Sequence, residues 1–328
     1  MAAETWRAAE IYNGAIAAWA ISAAWEVGAL DELSTARQLD AAEFAERNGL
    51  DTAATVGMFR ALAAVGAVHR DGTVVTPAAG FDDICQARSF IHWLSRGCAE
   101  LFRQMPTSLV TGNRTGQYYT RDAAAIAYAC REINEICFDP AYWPAVERLG
   151  AGLTAVADLG CGSGGRVMEL LHRYPAARGI GIDIAPAPLE VARKEAASAG
   201  LADRAVFVEG NVLDLTPRPE FADVELLTCF MMGHDFWPAD RCAATLRRLR
   251  ECFPAARRFL LGDTARTVGI SDAELPIFTL GYELGHDLMG ATIPTLSEWE
   301  SVFVGSGWTL LRTSPAAMVT NAVIFELE

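Results

Sequence analysis

"AVADLGCGSGGRVMELLHRYPAARGIGID", residues 155–183, sets an apolar run, a glycine-rich turn, an amphipathic helix pattern and a second apolar run in that order. The first run leads to Asp158, and Gly160, Gly162 and Gly164 follow it. Glycines at such a strand-to-helix junction permit tight turns and let a ligand approach the amino end of the next helix. "GRVMELLHRY" continues with apolar residues at helical spacing. The second run, "GIGIDI", reaches Asp183, where a carboxylate can accept both hydroxyls of a ribose. The stretch therefore predicts a β–α–β unit that opens an α/β domain and holds an adenosine-containing cofactor. On the glycines alone, NAD, FAD and S-adenosylmethionine (SAM) all remain open.

The rest of the chain narrows the class. With 328 residues, 52% of them hydrophobic, it can bury a large domain and an accessory one. The formal net charge of −14 disfavours nucleic acid and anionic membrane, which draw affinity from clustered Lys and Arg. Cys85, Cys98, Cys130, Cys137, Cys161, Cys229, Cys242 and Cys252 lack CxxC spacing and mostly sit among apolar neighbours, so they read as free thiols. The uncharged run from Ile11 to Trp25 is shorter than the roughly 20 residues of a membrane span. Glu4 and Glu10 stand where a secretory leader would carry a basic start. A cytoplasmic protein acting on a small molecule is the expectation.

Upstream of the glycine turn, residues 1–83 read as short helices followed by a hairpin. Asp40 can cap "AAEFAERNG", Asp51 or Thr52 can cap "AATVGMFRALAAVGAV", and Asp71-Gly72 turns between β-prone residues. Helix, helix, wing is a winged-helix pattern. Its recognition segment holds a single basic residue, Arg60, which points away from DNA and toward dimerisation through the apolar face around Ile16 and Trp19. Residues 84–148 show helical spacing and read as a linker that covers a substrate pocket, with the polar loop "TGNRTGQYYTR" offering Arg114 and Arg121. The cofactor domain occupies residues 149–328.

"DLGCGSG", "GIDIAPAPLEVAR" and "VFVEGNVLDL" together resemble the glycine loop, ribose-binding loop and adenine-binding loop of class I SAM-dependent methyltransferases. The resemblance implies a Rossmann-like α/β domain and SAM held by Asp158, Gly160, Gly162, Gly164, Asp183, Asn211 and Val212. Asn211 stands where the family often has Asp. Past the next apolar strand, "VELLTCF", comes "MMGHDFWP", at the edge where open α/β sheets bind ligands. "GHDFWP" is similar to the His-containing segment of small-molecule O-methyltransferases, in which that His, here His234, deprotonates a hydroxyl. An imidazole suits this role. Such a His is ordinarily oriented by a carboxylate, whereas the downstream "YELGHDLMGATIPT" offers a second imidazole, His286. His69, His92 and His172 read as surface or packing residues.

With Met231 added, the set resembles a narrower family, the SAM-dependent α-keto acid C-methyltransferases, which methylate C3 of 2-oxo acids destined for β-methyl amino acids of specialised metabolites. That resemblance implies a catalytic iron or zinc ion on Met231, His234 and His286. It also implies an aromatic wall at Trp93, a carboxylate clamp at Arg121, and Asp235 as an acid facing the substrate or supporting the metal. Read on its own residues, Met231 also fits a core methionine at a strand end. Two accounts thus stand: metal-dependent C-methylation through an enolate, and metal-free O-methylation with His234 as base.

Overall fold

A computed structural model describes residues 7–328; Glu4, used above against a leader, lies outside the described residues. The chain divides into two compact units, one ending at Cys130 and the other spanning Arg131–Glu328. The helical stretch 84–148 is therefore shared between them. Among the described residues no helix is long and apolar enough to cross a membrane.

In the first unit the order is α1 (Ala8–Glu26), α2 (Ala29–Ala36), β1 (Leu39–Asp40), α3 (Ala41–Arg47), α4 (Thr52–Ala64), β2 (Val68–Asp71), β3 (Val74–Pro77) and α5 (Phe81–His92). Asp40 caps α3 by accepting from the Ala42 and Glu43 amides at 2.8 and 3.1 Å, and Asp51 caps α4 through the Ala54 amide at 2.7 Å. Gly72 takes φ +60° in the hairpin turn, where a side chain would be strained. The three short strands pair antiparallel in the order β1-β3-β2, which forms the wing. Trp25, Leu30, Leu33, Phe44, Phe59 and Leu62 fill its core. The helix expected across "SFIHWLSRGCAELFRQM" is broken: α5 passes into a π-turn at Trp93–Gly97 before α6 (Ala99–Arg103) and α7 (Met105–Ser108). A Cβ at Gly97 would lie 2.6 Å from the Ile126 side chain, so the small residue permits α8 (Ala123–Ile133) to pack close.

The second unit carries α9 (Asp139–Glu147), β4 (Ala155–Leu159), α10 (Gly165–Arg173), β5 (Arg178–Asp183), α11 (Pro186–Ser198), β6 (Ala205–Glu209) and β7 (Leu226–Phe230). It continues with α12 (Ala239–Cys252), β8 (Arg258–Thr264), α13 (Thr279–Met289), α14 (Leu296–Phe303), β9 (Leu310–Pro315) and β10 (Ala322–Leu327). These strands form a seven-stranded sheet ordered β6-β5-β4-β7-β8-β10-β9. The pairs from β6 to β8 are parallel, and β10 runs antiparallel to both β8 and β9. From β4 the chain winds outward through β5 and β6, then returns to the other side of β4 with β7. The crevice between the carboxyl ends of β4 and β7 is thus the topological switch point, where ligands of doubly wound sheets bind. Both strands are buried throughout, as continuous apolar runs covered by helices require.

Candidate active site

Three segments meet around the β4/β5 edge. Gly160, Gly162 and Gly164 take φ of +69°, +51° and +77°. At Gly160 a Cβ would also come 2.6 Å from the Met232 sulfur, so conformation and space both exclude a side chain there. Asp183 accepts from the Gly162 amide and the Ala185 amide, each at 2.9 Å, tying the glycine loop to the acidic loop. The Gly210 amide donates to the Asp183 carbonyl at 2.9 Å, which brings the segment after β6 alongside. In that segment Asn211 caps the turn Val212–Asp214 by accepting from the Leu213 amide at 3.0 Å, and Val212 is buried. Asn performs this capping as Asp would. Asp158, also buried, accepts from the Thr228 hydroxyl at 2.6 Å, and burial pushes its pKa up to about 6.

At the carboxyl end of β7 the backbone turns sharply: Met231 takes φ +53°, in the left-handed region, and its amide donates to the Gly262 carbonyl at 2.8 Å. Its sulfur lies 3.8 Å from the Thr264 hydroxyl. The next residues form the single turn Gly233–Phe236, with His234 buried. Asp263, on β8 and completely buried, accepts from the His234 amide at 2.7 Å and faces Nδ1 with both oxygens, at 3.0 and 3.1 Å. A sequence-based expectation is corrected here: His234 does have an orienting carboxylate, and the second imidazole adds to it. Because a carboxylate accepts at Nδ1, His234 carries its proton there and presents Nε2 as the lone-pair nitrogen. Asp235, largely exposed, places Oδ1 3.9 Å from that Nε2.

His286 comes from α13 and is buried. Its Nδ1 lies 2.7 Å from the Tyr282 carbonyl one turn earlier, so this ring too keeps its proton on Nδ1. The two imidazole centroids are 4.7 Å apart with planes at 85°. Tyr282 joins the pair: its hydroxyl donates to Asp263 at 3.2 Å and sits 3.0 Å from His234 Nδ1, while its ring packs 4.1 Å from that of His286. Phe278, at φ +76° just before α13, packs 5.1 Å from the Tyr282 ring. Strained backbone at Met231 and Phe278 thus brackets the histidines, as is common where a site is held in one geometry. Imidazoles hydrogen-bonded at one ring nitrogen to a carboxylate or a backbone carbonyl are the kind of residue that can serve as a base or as a metal ligand.

Gly233 is the tightest point of this arrangement. A Cβ there would lie 2.7 Å from Leu261, 3.0 Å from the Asp263 carboxylate and 3.3 Å from Trp299. Gly233→Ala is expected to cost about 1–3 kcal/mol of stability by overpacking and to lower activity by displacing Asp263 from His234. Thermal denaturation beside initial rates checks both.

Trp93 and Arg121 belong to the first unit, where Trp93 is buried and Arg121 is exposed with its guanidinium beside the Cys98 thiol. The remaining histidines behave as packing or surface residues: buried His92 pairs with Glu26 at 2.8 Å, and His69 and His172 are exposed. Asp263 and Tyr282 escaped the sequence reading although each carried a signal. Asp263 ends an apolar strand as Asp158 and Asp183 do, and Tyr282 precedes His286 by one helical turn.

A switch-point crevice with a glycine loop, an acid at the end of β5 and buried histidines past β7 defines an enzyme that pairs an adenosine cofactor with a small acceptor. The chain belongs to the SAM-dependent methyltransferase family. Residues 156–253 match the family model described as a methyltransferase domain. Methyltransferase ungE′ of Aspergillus campestris is 45% identical over 98% of this chain and 96% of its own length. Indolepyruvate C-methyltransferase of Streptomyces griseus is 29% identical over 98% of this chain and 94% of its own. Among solved structures, the mitomycin 7-O-methyltransferase MmcR superposes with a TM-score of 0.64 at 21% identity, covering 98% of this chain and 96% of that one, which establishes the shared fold.

Proposed function

We propose that this methyltransferase transfers the SAM methyl to C3 of a 2-oxo acid with an apolar or aromatic side chain, through the enolate. The proposed site holds an iron or zinc ion on Met231, His234 and His286. The observation that carries the reading is the pair of buried imidazoles, each hydrogen-bonded at Nδ1, with ring centroids 4.7 Å apart. A lone base would need one such ring. Likeness to an indolepyruvate C-methyltransferase across nearly the whole chain supports a 2-oxo acid as acceptor. Among the described residues no three His, Cys, Asp or Glu side chains gather as a ligand set; the Met231 thioether as third donor follows from the family resemblance alone.

Such an ion would supply Lewis acidity at the ketone and carboxylate oxygens, worth several kcal/mol in lowering the cost of the enolate. The protein's own groups do the rest. Asp263 and Tyr282 hold His234, and the Tyr282 carbonyl holds His286, so neither ring reorients as the substrate enters. Arg121 and Trp93, in the first unit, keep the roles of carboxylate clamp and aromatic wall that the resemblance implies. The C3–H bond breaks with its proton passing to Asp235. Its electron pair forms the new C–C bond as the C–S bond of SAM breaks, releasing S-adenosylhomocysteine. Glycines 160, 162 and 164, with Asp158, Asp183, Asn211 and Val212, hold SAM so that attack is effectively unimolecular.

Asp158 gives a pH signature. Burial pushes its carboxyl pKa up to about 6, so ionisation is expected within the working pH range. The ionised form favours the cationic sulfonium and ammonium of SAM. SAM affinity is therefore expected to strengthen by up to about tenfold between pH 5 and 7, and Asp158→Asn to flatten that dependence. Calorimetric titrations across this range measure it.

The Asp263–His234 pair specifically favours a second reading, metal-free O-methylation with His234 as general base, which keeps the same SAM site. Retention of full activity after chelation, on a phenolic acceptor, would select it. For assembly, α1 exposes Ile11, Tyr12, Ile16 and Trp19 beside a groove of about 510 Å³ shared with α4. A homodimer through this face removes it from water, and size measurement of Trp19→Glu against wild type tests it.

A further inference from the structure

We propose that Arg166 binds the α-carboxylate of the SAM methionine tail, with Asp158 and Tyr142 completing that end of the pocket. Arg166 opens α10 directly after the glycine loop, and only 8% of its side chain is exposed. Its guanidinium lies 4.2 Å from the Tyr142 ring centroid and 4.0 Å from that of Phe230. Phe230 ends β7, and Asp158 lies beside Thr228 on the neighbouring strand β4, so this cation sits at the switch-point crevice. Burying a guanidinium is costly unless its donors are met. Its five N–H groups meet Asp139 at 3.2 Å and face the Tyr142 hydroxyl, which leaves donors for a ligand. The Tyr142 hydroxyl is fully buried against it, and the guanidinium is its hydrogen-bonding neighbour.

The surrounding charge gives the direction. Asp139, Asp158, Asp183 and Glu169 bear on Arg166 or on each other, an acidic environment that suits a sulfonium and an ammonium. A fixed cation among these acids marks where the negative end of a zwitterionic tail belongs, and a guanidinium is the fork that fits a carboxylate. The inference concerns SAM alone and stands whichever acceptor is methylated.

The test compares S-adenosylhomocysteine with 5′-methylthioadenosine, which keeps the adenosine thioether and lacks the amino acid tail. By calorimetry, Arg166→Met is expected to weaken S-adenosylhomocysteine about 10- to 100-fold while leaving 5′-methylthioadenosine unchanged, and Arg166→Lys to recover part of the loss. Equal losses on both ligands would show a purely structural role and overturn the proposal, as would no loss on either. A ligand-side measurement avoids any folding defect: wild-type enzyme should bind decarboxylated S-adenosylhomocysteine at least about tenfold more weakly than the intact compound. Equal affinity overturns the assignment.

Discussion

On the proposed C-methylation, His286→Ala is expected to cut methyl transfer to a 2-oxo acid by about 10³-fold, the rate equivalent of several kcal/mol of lost enolate stabilisation. The same variant should lose bound metal while its affinity for S-adenosylhomocysteine stays at the wild-type value. His286 lies on α13, whereas the proposed cofactor residues lie at the carboxyl ends of β4 and β5 and in the loops after β4 and β6. A proton-abstracting His234 working alone would lose far less. Paired assays of turnover, metal content and cofactor binding on one preparation separate these accounts.

Asp263→Asn carries the second largest effect. The carboxylate accepts from the His234 amide, His234 Nδ1, the Tyr282 hydroxyl and the Thr264 amide. An asparagine keeps the shape but offers an amide N–H on one side, which favours the wrong tautomer and puts the His234 lone pair on Nδ1. In a comparable buried Asp–His pair this exchange costs about 10⁴-fold in rate, and a loss of about 10²- to 10⁴-fold is expected here. Asp263→Ala leaves buried donors unmet and should in addition destabilise the fold by about 3 kcal/mol or more. Steady-state kinetics and denaturant unfolding on both variants distinguish the tautomeric effect from the loss of packing.

Much of the fold was legible because it rests on local signals. The glycine turn between Asp158 and α10 and the acid ending β5 appear in the sequence as strand, turn, helix, strand, and β4 runs one residue past the expected end. The capped helices and Asp71-Gly72 hairpin of the first unit were equally local. The π-turn at Trp93–Gly97 was not, because it depends on how Gly97 meets Ile126, a contact that periodicity does not encode. His234 and His286 share a Gly-His-Asp context 52 positions apart in the sequence, and the fold brings their rings to 4.7 Å. What joins them, Asp263 and Tyr282, was missed because β8 lies beside β7 only once the sheet order is known. Arg166 was read simply as part of an amphipathic helix, since its burial between Tyr142 and Phe230 is a tertiary fact.

The most direct test of the central claim is to incubate the purified, metal-loaded enzyme with phenylpyruvate or indolepyruvate and SAM carrying a ¹³C-labelled methyl, and to follow the label by NMR. The account predicts a labelled methyl bonded to carbon at C3 of the 2-oxo acid, with coupling to the adjacent C–H, and no such product after chelation. A labelled methyl on oxygen, or full C-methylation in the chelated enzyme, would contradict it.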